Sequence, residues 1–206
     1  MSVLLIAGSP TQPSRSAALL EVVGRQLEAQ GAAVARLAVR DVNAQALLHA
    51  EFSHPDIAAA AAQVAQAEVI VMATPVYKAA YSGVLKAWLD LLPQTALQGK
   101  TVLPLATGGS SHHMLVLDYA LRPVLQSLGA RHVLAGVYAT DTQVQLPPKD
   151  MPDGPVQLDA ALQQRVDEAV HTLWAEHLQG HRRHAATLAL SPRLAFVPGV
   201  SVLRRA

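Results

Sequence analysis

VLLIAGSPTQPSRS, residues 3–16, decides the fold: an apolar run typical of a buried strand passes directly into a polar turn and then a helical pattern. Parallel strands that are covered on both faces have such uninterrupted apolar runs. Gly8 permits a sharp departure from the sheet. Ser14 and Ser16 fall where the first amides of the next helix lack intrahelical partners. The stretch therefore predicts a strand, a turn and a helix, the unit that begins an α/β fold.

The same turn has the composition of an anion site. Amides at a helix N-terminus and the helix dipole both favour a phosphate, and nearby hydroxyl and guanidinium groups add hydrogen bonds. The candidate phosphate ligands are Ser9, Ser14, Arg15 and Ser16. The pattern matches neither the Walker loop nor the Gly-x-Gly-x-x-Gly turn. An ordinary serine N-cap explains this turn equally well when it is taken alone.

Four further apolar runs predict a five-stranded sheet. The predicted strands are 3–7, 33–37, 69–74, 101–106 and 132–138, and the predicted helices are 16–30, 55–66, 81–91, 113–128 and 156–178. Strict alternation of strands and helices implies a parallel sheet with helices on both faces. We expect an α/β, flavodoxin-like fold with strand order 2-1-3-4-5.

Two more loops follow the central strands, at the sheet edge where such folds bind ligands. In the loop after the third strand, Pro75 and Tyr77 offer rigid apolar surface to a ring, and the amides of Val76 and Tyr77 can donate to its heteroatoms. In the loop after the fourth strand, Gly108 and Gly109 let backbone amides approach a ring edge closely. A proline turn and a glycine-rich connection explain these loops separately. A phosphate site beside two ring-binding loops, however, points to FMN.

Composition and charge limit the other possibilities. The chain has 206 residues, 51% hydrophobic and 15% charged, with no cysteine, so disulfides, thiolate metal sites and cysteine nucleophiles are excluded and the cytoplasm is the expected location. We expect no signal peptide before the first strand and no membrane span, because no apolar run approaches ~18 residues. We also expect no metal site, since the histidines do not converge.

The charges are unevenly distributed along the chain. Residues 1–176 contain all 15 acidic residues but 11 of the 16 Lys and Arg residues, a net charge of −4 (11 minus 15). A net negative body argues against a nucleic-acid surface. Gly180 and the prolines and glycine that follow it interrupt the basic end. We therefore predict a domain at 1–179 and an irregular basic C-terminal extension at 180–206.

At these loops the chain resembles the NADPH-dependent FMN reductases of sulfonate assimilation, the reductase partners of two-component alkanesulfonate monooxygenases. The motifs that carry the resemblance are AGSP (7–10), PSRS (13–16), ATPVYKAAYSG (73–83) and LPLATGG (103–109). It spans roughly residues 2–175, and it differs at 110–113 and beyond Gly180. The resemblance implies ring contacts from Pro75, Val76, Tyr77, Thr107, Gly108 and Gly109. It also implies a flavin that leaves as a substrate, a flavin-dependent monooxygenase partner and a homotetramer assembled as a dimer of dimers.

Pro123 lies inside the predicted helix 113–128. Because proline lacks an N–H and its ring crowds the preceding turn, we expect a kink or π-bulge near Tyr119. The family is similar in placing a π-helical turn at a subunit interface near the flavin. Tyr119 is therefore a candidate for stacking across that interface, and a simple proline kink is the alternative.

We name no catalytic side chain, because hydride passes directly from NADPH to FMN when the rings stack. Arg15, Lys78 or Arg122 could provide a cation for the 2′-phosphate of NADPH. Two alternatives stay open: an FMN-containing quinone, azo-dye or chromate reductase, and a non-enzymatic flavin-binding electron carrier.

Overall fold

The computed structural model describes residues 1–148, 150–151 and 154–190. Its main sheet contains β1 (Ser2–Ala7), β2 (Ala33–Ala38), β3 (Val69–Tyr77), β4 (Ala80–Tyr81), β5 (Thr101–Gly108), β6 (His132–Val133) and β7 (Val137–Thr140). The order is β2-β1-β3-β5-β6, with β7 continuing beside β5 and β4 antiparallel to β3; the other pairs are parallel. With β5 as the predicted fourth strand and β6 and β7 as the fifth, the predicted order and the flavodoxin-like fold are confirmed.

Helices cover both faces of this sheet. The α-helices are α1 (Arg15–Ala29), α2 (Ala44–Leu48), α3 (Pro55–Gln66), α4 (Gly83–Leu89), α5 (Arg122–Ser127) and α6 (Ala160–Leu190). Two 3-10 turns lie at Val39–Asp41 and Ser111–His113, and a π-helical turn lies at Leu117–Leu121. A small antiparallel pair, β8 (Val144–Gln145) and β9 (Gln157–Leu158), precedes α6. No helix in the described ranges is long and apolar enough to cross a membrane.

The alternation of strand side chains divides the core into two layers. Leu4 and Ile6 of β1 face the layer formed with α2 to α5, whereas Val3 and Leu5 face the layer formed with α1 and α6. The apolar side of α1 is buried in the second layer, at Leu19, Leu20, Val23 and Leu27. Burial on both faces explains why the strands have continuous apolar sequences.

The outermost strand is broken rather than continuous over the predicted 132–138. The carbonyl of Val102 accepts from the Leu134 amide at 2.9 Å, and alternate residues of a strand present their polar backbone groups to the same neighbour. Pro104 therefore lacks an N–H on the side that faces this strand. Pairing resumes at Leu105 and Val137, with one extra residue on the outer strand, so the break is a bulge opposite the proline.

Three further predictions need correction. The predicted strand 69–74 continues to Tyr77, and the predicted helix 156–178 begins only at Ala160 because β9 occupies 157–158. The backbone is helical through Gly180 to Leu190, so the irregular extension predicted from 180 is wrong over 180–190. A single glycine lowers helix propensity without ending a helix. The rest of that predicted extension, 191–206, lies outside the described residues.

The predicted helix 113–128 is divided as its proline indicated. It consists of a 3-10 turn, the π-helical turn and α5, with Pro123 in the first turn of α5. The amide of Arg122 donates to the carbonyl of Leu117, five residues earlier. A proline in the first turn of a helix loses no helical hydrogen bond, so the π-helical turn lets the helix restart at Pro123. The predicted π-bulge at Tyr119 is confirmed.

The bulge opposite Pro104 should be intolerant of added volume. A Cβ at Gly136 would lie 2.7 Å from Leu117 Cδ1 and 2.8 Å from the Pro104 carbonyl oxygen. We expect Gly136→Ala to lower the free energy of unfolding by about 1–3 kcal/mol, because backbone must shift. Gly83→Ala is the matched control, since a Cβ there meets nothing within 4 Å; it should be neutral or stabilise by up to about 1 kcal/mol. Urea unfolding at one protein concentration measures both, and equal effects would contradict the close-approach account.

Candidate flavin site

The three predicted loops lie together because their strands are neighbours. β1, β3 and β5 pair side by side and end at the same edge of the sheet. The amide of Gly8 donates to the Ala73 carbonyl at 2.8 Å, which extends the β1–β3 pairing into the first loop. Pro75 is in register with Thr107, so the second and third loops also begin side by side. The structure thus brings the ten predicted cofactor-binding residues to one edge.

The first loop holds a cluster of hydroxyl groups at the start of α1. Ser9 and Ser16 are buried, and Ser14 Oγ lies 3.0 Å from Ser16 Oγ. Ser14 is the N-cap, accepting from the Ala17 amide at 3.4 Å, and Arg15 is exposed beside it. First-turn amides of α1 have no helical acceptor. This donor set fits a phosphate, and it is the part of the predicted site that was also explicable as a simple cap.

A basic residue that the sequence analysis missed supports this loop. The Nη1 of Arg40, at the end of β2, donates to the Thr11 carbonyl at 3.1 Å, and its Nε lies 3.4 Å from Asp41 Oδ1. The Ser9 hydroxyl donates to the same Thr11 carbonyl at 3.2 Å. The tip of the loop is therefore held from both sides, although its side chains from Pro10 to Pro13 are exposed.

The second predicted loop is a strand end followed by a tight hairpin. Val76 pairs with Tyr81 and Tyr77 with Ala80, which leaves Lys78 and Ala79 as a two-residue turn. Both have positive φ, 49° and 60°, the conformation of type I′ turns that glycine and asparagine prefer. Pro75 and Val76 are half-buried, and Tyr77 is 46% exposed. The hairpin thus leaves the Tyr77 ring accessible at the edge of the site.

Two buried side chains that were not among the predicted site residues connect the first and second loops. Ser82 donates its hydroxyl to the Gly8 carbonyl and accepts from the Leu85 amide at 3.2 Å, as the N-cap of α4. Its own amide donates to Thr74 Oγ1 at 3.0 Å. The predicted helix 81–91 began two residues too early, and a serine at the start of a helical pattern is the signal that could have located this cap. The contact of Ser82 with Gly8, 74 residues away, has no local signal.

The third loop contains two glycines in different surroundings: neighbouring atoms leave no room for a side chain at Gly108, whereas there is room for one at Gly109. A Cβ at Gly108 would lie 2.5 Å from the Tyr138 hydroxyl and 3.2 Å from Val76 Cβ. At exposed Gly109 the nearest atom would be Asp141 Oδ2, at 3.7 Å. Thr107 and Gly108 are buried. The accessible backbone of this loop is therefore at Gly109.

Tyr119 lies outside the three loops in sequence, on the π-helical turn, which contacts β4 of the second-loop hairpin and β5. Its side chain is 79% exposed, and exposed Met114 and Leu115 lie on the preceding turn.

Of the three cations considered for the 2′-phosphate of NADPH, Arg122 already has partners within the protein. It donates to the carbonyls of Val133 and Leu134 at 2.8 and 3.0 Å and to the Asp118 carboxylate at 3.0 Å. In the described part of the chain, no group of three or more His, Asp or Glu side chains could hold a metal ion.

Comparison with known proteins assigns the chain to a family. The model of the family described as NADPH-dependent FMN reductase matches residues 1–145. The chain belongs to this family. It is 47% identical over 174 residues to the FMN reductase (NADPH) of Escherichia coli (strain K12), covering 84% of this chain and 88% of that protein. It is 46% identical over 172 residues to the FMN reductase (NADPH) of Pseudomonas putida (strain ATCC 47054), covering 84% and 86%.

A solved structure of another FMN reductase shares the fold of this reductase. The apo form of the NADH:FMN oxidoreductase EMOB superposes with a TM-score of 0.74 at 36% identity, covering 84% of this chain and 87% of that chain. Family membership confirms the predicted enzyme class and the predicted cofactors, FMN and NADPH. The residues that bind them stay predictions, now with a defined arrangement.

The reductase should depend on Ser82 to keep its first two loops together. Ser82→Ala removes a buried hydroxyl, leaves the Gly8 carbonyl without that donor and removes the cap of α4. We expect the free energy of unfolding to fall by about 1–3 kcal/mol. Ser127→Ala, which deletes an exposed hydroxyl bonded to the Val124 carbonyl at 2.7 Å, should cost under about 0.5 kcal/mol. Equal losses in denaturant unfolding of the two variants would contradict the bridging role.

Proposed function

We propose that this reductase transfers hydride from NADPH to FMN as a dissociable substrate and supplies reduced FMN to a flavin-dependent monooxygenase, in the assimilation of sulfonate sulfur. The observation that carries the proposal is that the hydroxyl-rich first loop and the two loops predicted to contact a flavin ring lie side by side at one edge of the sheet. The named relatives at 46% and 47% identity are FMN reductases that use NADPH. Their names support the choice of nicotinamide cofactor.

In this proposal the phosphate of FMN binds at the start of α1. Ser14 and Ser16 donate hydroxyl hydrogen bonds, first-turn amides of α1 add theirs, and Arg15 supplies a positive charge. Ser9 adds a further donor if its hydroxyl turns from the Thr11 carbonyl to the phosphate. Ser14 and Ser16 already lie within 3.0 Å of each other, so little rearrangement separates this cluster from a bound anion. Because Arg15 is exposed, its interaction with the phosphate is screened by water and modest.

The isoalloxazine ring binds between the second and third loops. Pro75, Val76 and Tyr77 would contact its face and edge, and Gly109, supported by the buried Thr107 and Gly108, would bring its backbone amide to the polar edge of the ring. NADPH and FMN together supply the hydride donor and acceptor. The protein contributes orientation, worth ~7 kcal/mol or more when reacting groups are well aligned, and amides that stabilise the negative charge that develops at the ring edge.

The accessible position of this site suits a flavin that leaves. Tyr77, Gly109 and Arg15 are all exposed, so the site has an open side through which reduced FMN can reach a partner. Assembly as a dimer of dimers, with Tyr119 stacked across an interface, belongs to the same proposal. So does a cytoplasmic location without nucleic-acid or membrane partners.

The decisive experiment is the dependence of NADPH oxidation on added FMN. We expect the purified protein to be colourless, to oxidise NADPH only when FMN is supplied and to sustain a monooxygenase that is given no other source of reduced flavin. A yellow protein that reduces quinones, azo dyes or chromate without added FMN would contradict the proposal that FMN is a dissociable substrate. It would favour a reductase that keeps FMN bound and passes electrons to a second substrate. Flavin binding with no NADPH oxidation would indicate an electron carrier.

Removal of the charge on Arg15 should separate FMN from riboflavin, which lacks the phosphate. We expect Arg15→Gln to raise the Michaelis constant for FMN about three- to fivefold and to leave that for riboflavin unchanged, because only a solvent-screened charged hydrogen bond to the phosphate is lost. Adding Ser14→Ala should raise the FMN constant further. The matched control is Arg25→Gln, on the same helix with a side chain 66% exposed, which should change neither constant. Equal effects of Arg15→Gln on both flavins would rule out the phosphate assignment.

A further inference from the structure

The buried tyrosine Tyr138 lies directly behind the third loop. It belongs to β7, where it pairs with Ala106 of β5, and it is 7% exposed. Its hydroxyl donates to the Ser110 carbonyl at 2.6 Å. Burial, with a smaller effect of Asp141, raises the pKa of this hydroxyl, so it stays protonated and able to donate at neutral and mildly alkaline pH.

The same strand holds the loop at a second point and is itself anchored. The Gly108 carbonyl accepts from the Asp141 amide at 3.0 Å. The Tyr138 carbonyl accepts from Arg165 Nη1 of α6 at 2.6 Å. Gly108 and Ser110, on either side of Gly109, are thus both tied to β7, and β7 is tied to α6. The exposed residue Gly109 lies between these two fixed points.

The Tyr138 hydroxyl also determines which residue fits at 108. It lies 2.5 Å from the position of a Cβ on Gly108, whereas its ring carbon Cζ lies 3.5 Å away, an ordinary contact distance. An alanine at 108 would therefore collide with the hydroxyl oxygen and not with the ring. Only a glycine at 108 allows the hydroxyl to pass beneath the loop and reach Ser110.

We propose that Tyr138 is a positioning residue of the reductase: its hydroxyl sets the height of the 108–110 backbone at the sheet edge, and so the place where the Gly109 amide meets the flavin ring. The role of that amide rests on the proposed function. A tyrosine that served only to fill the core would act through its ring, and loss of its hydroxyl would leave flavin binding unchanged.

The first test compares flavin binding by Tyr138→Phe and wild-type protein. We expect the dissociation constants of FMN and riboflavin, followed by flavin fluorescence without NADPH, to rise by the same factor, about three- to tenfold, as for one hydrogen bond. This pattern differs from that of the phosphate variant, which should affect FMN alone. Thr172→Val is the control, because it also deletes a hydroxyl that donates to a backbone carbonyl, that of Glu168 at 2.8 Å, on exposed α6 surface. A folded Tyr138→Phe protein with wild-type constants for both flavins would overturn the proposal.

The second test is a double-mutant cycle between Tyr138 and Gly108. Gly108→Ala should weaken riboflavin binding by more than about tenfold in the wild-type background, and by clearly less in the Tyr138→Phe background, where the colliding oxygen is absent. The contact of the new Cβ with Val76 Cβ at 3.2 Å is present in both backgrounds and cancels. Additive effects on binding would contradict the proposed coupling. If wild-type protein binds flavin but does not oxidise NADPH, the proposed function fails while both binding comparisons remain valid.

Discussion

The parallel pairing of β1, β3 and β5 is the constraint on which the rest of the molecule depends. These strands have side chains buried on both faces between the two helical layers, so their register cannot slip without moving apolar groups between layers. Their carboxyl ends form one edge, and every predicted flavin-binding residue lies in the last residues of one of these strands or in the loop that follows it. The Gly8 to Ala73 hydrogen bond and the Ser82 to Gly8 bridge continue the pairing past the sheet. The site is therefore an extension of the sheet rather than a separate set of loops.

Close approaches of backbone make this edge rigid. Ser82 carries three of these contacts, to Gly8, Leu85 and Thr74, while itself being almost fully buried. Buried hydroxyls with every partner satisfied specify one arrangement, because any other leaves a polar group unpaired. No side-chain nitrogen or oxygen in the described residues is buried without a hydrogen-bond partner. The strained positive φ values at Lys78 and Ala79 lie at the same edge, where a rigid surround can hold them.

The sequence was sufficient for features set by local pattern. Continuous apolar runs located the central strands, and the loop residues at their ends followed from the rule for ligand sites in such sheets. Pro123 located the π-helical turn because the effect of a missing N–H is local. The bulge in the outer strand was missed although its cause, Pro104, is visible in the sequence. Its consequence appears on a neighbouring strand about 30 residues away, which no local pattern reveals.

The other missed features are also long-range. Ser82 was placed inside the predicted helix 81–91, neither as its cap nor as a bridge, and Tyr138 was interpreted only as the end of an apolar strand. Both act through one hydroxyl on a distant backbone carbonyl. The hairpin at 77–80 was missed because Lys78 and Ala79 are not the residues that such turns prefer. Gly180 predicted a helix end that the backbone does not have, since a glycine weakens a helix by only about 1 kcal/mol and its neighbours outweigh it.

These contacts divide the proposed site into a ring-binding part and a phosphate-binding part, which differ in how firmly the protein holds them before a ligand binds. On the proposed ring side, Thr74, Ser82 and Tyr138 are buried and hydrogen-bonded, so loop backbone is held in place before any ligand arrives. On the proposed phosphate side, Ser9 and Ser16 are also buried, but the charged candidate ligand, Arg15, and the loop tip are exposed, and exposed charges bind weakly because water screens them. Under the proposed function this division has a purpose. Hydride transfer needs rings in a fixed geometry, whereas binding FMN equally tightly before and after reduction would only slow its departure. A rigid ring side with an open phosphate side supplies orientation without strong retention, which is what a reductase that gives its flavin away requires.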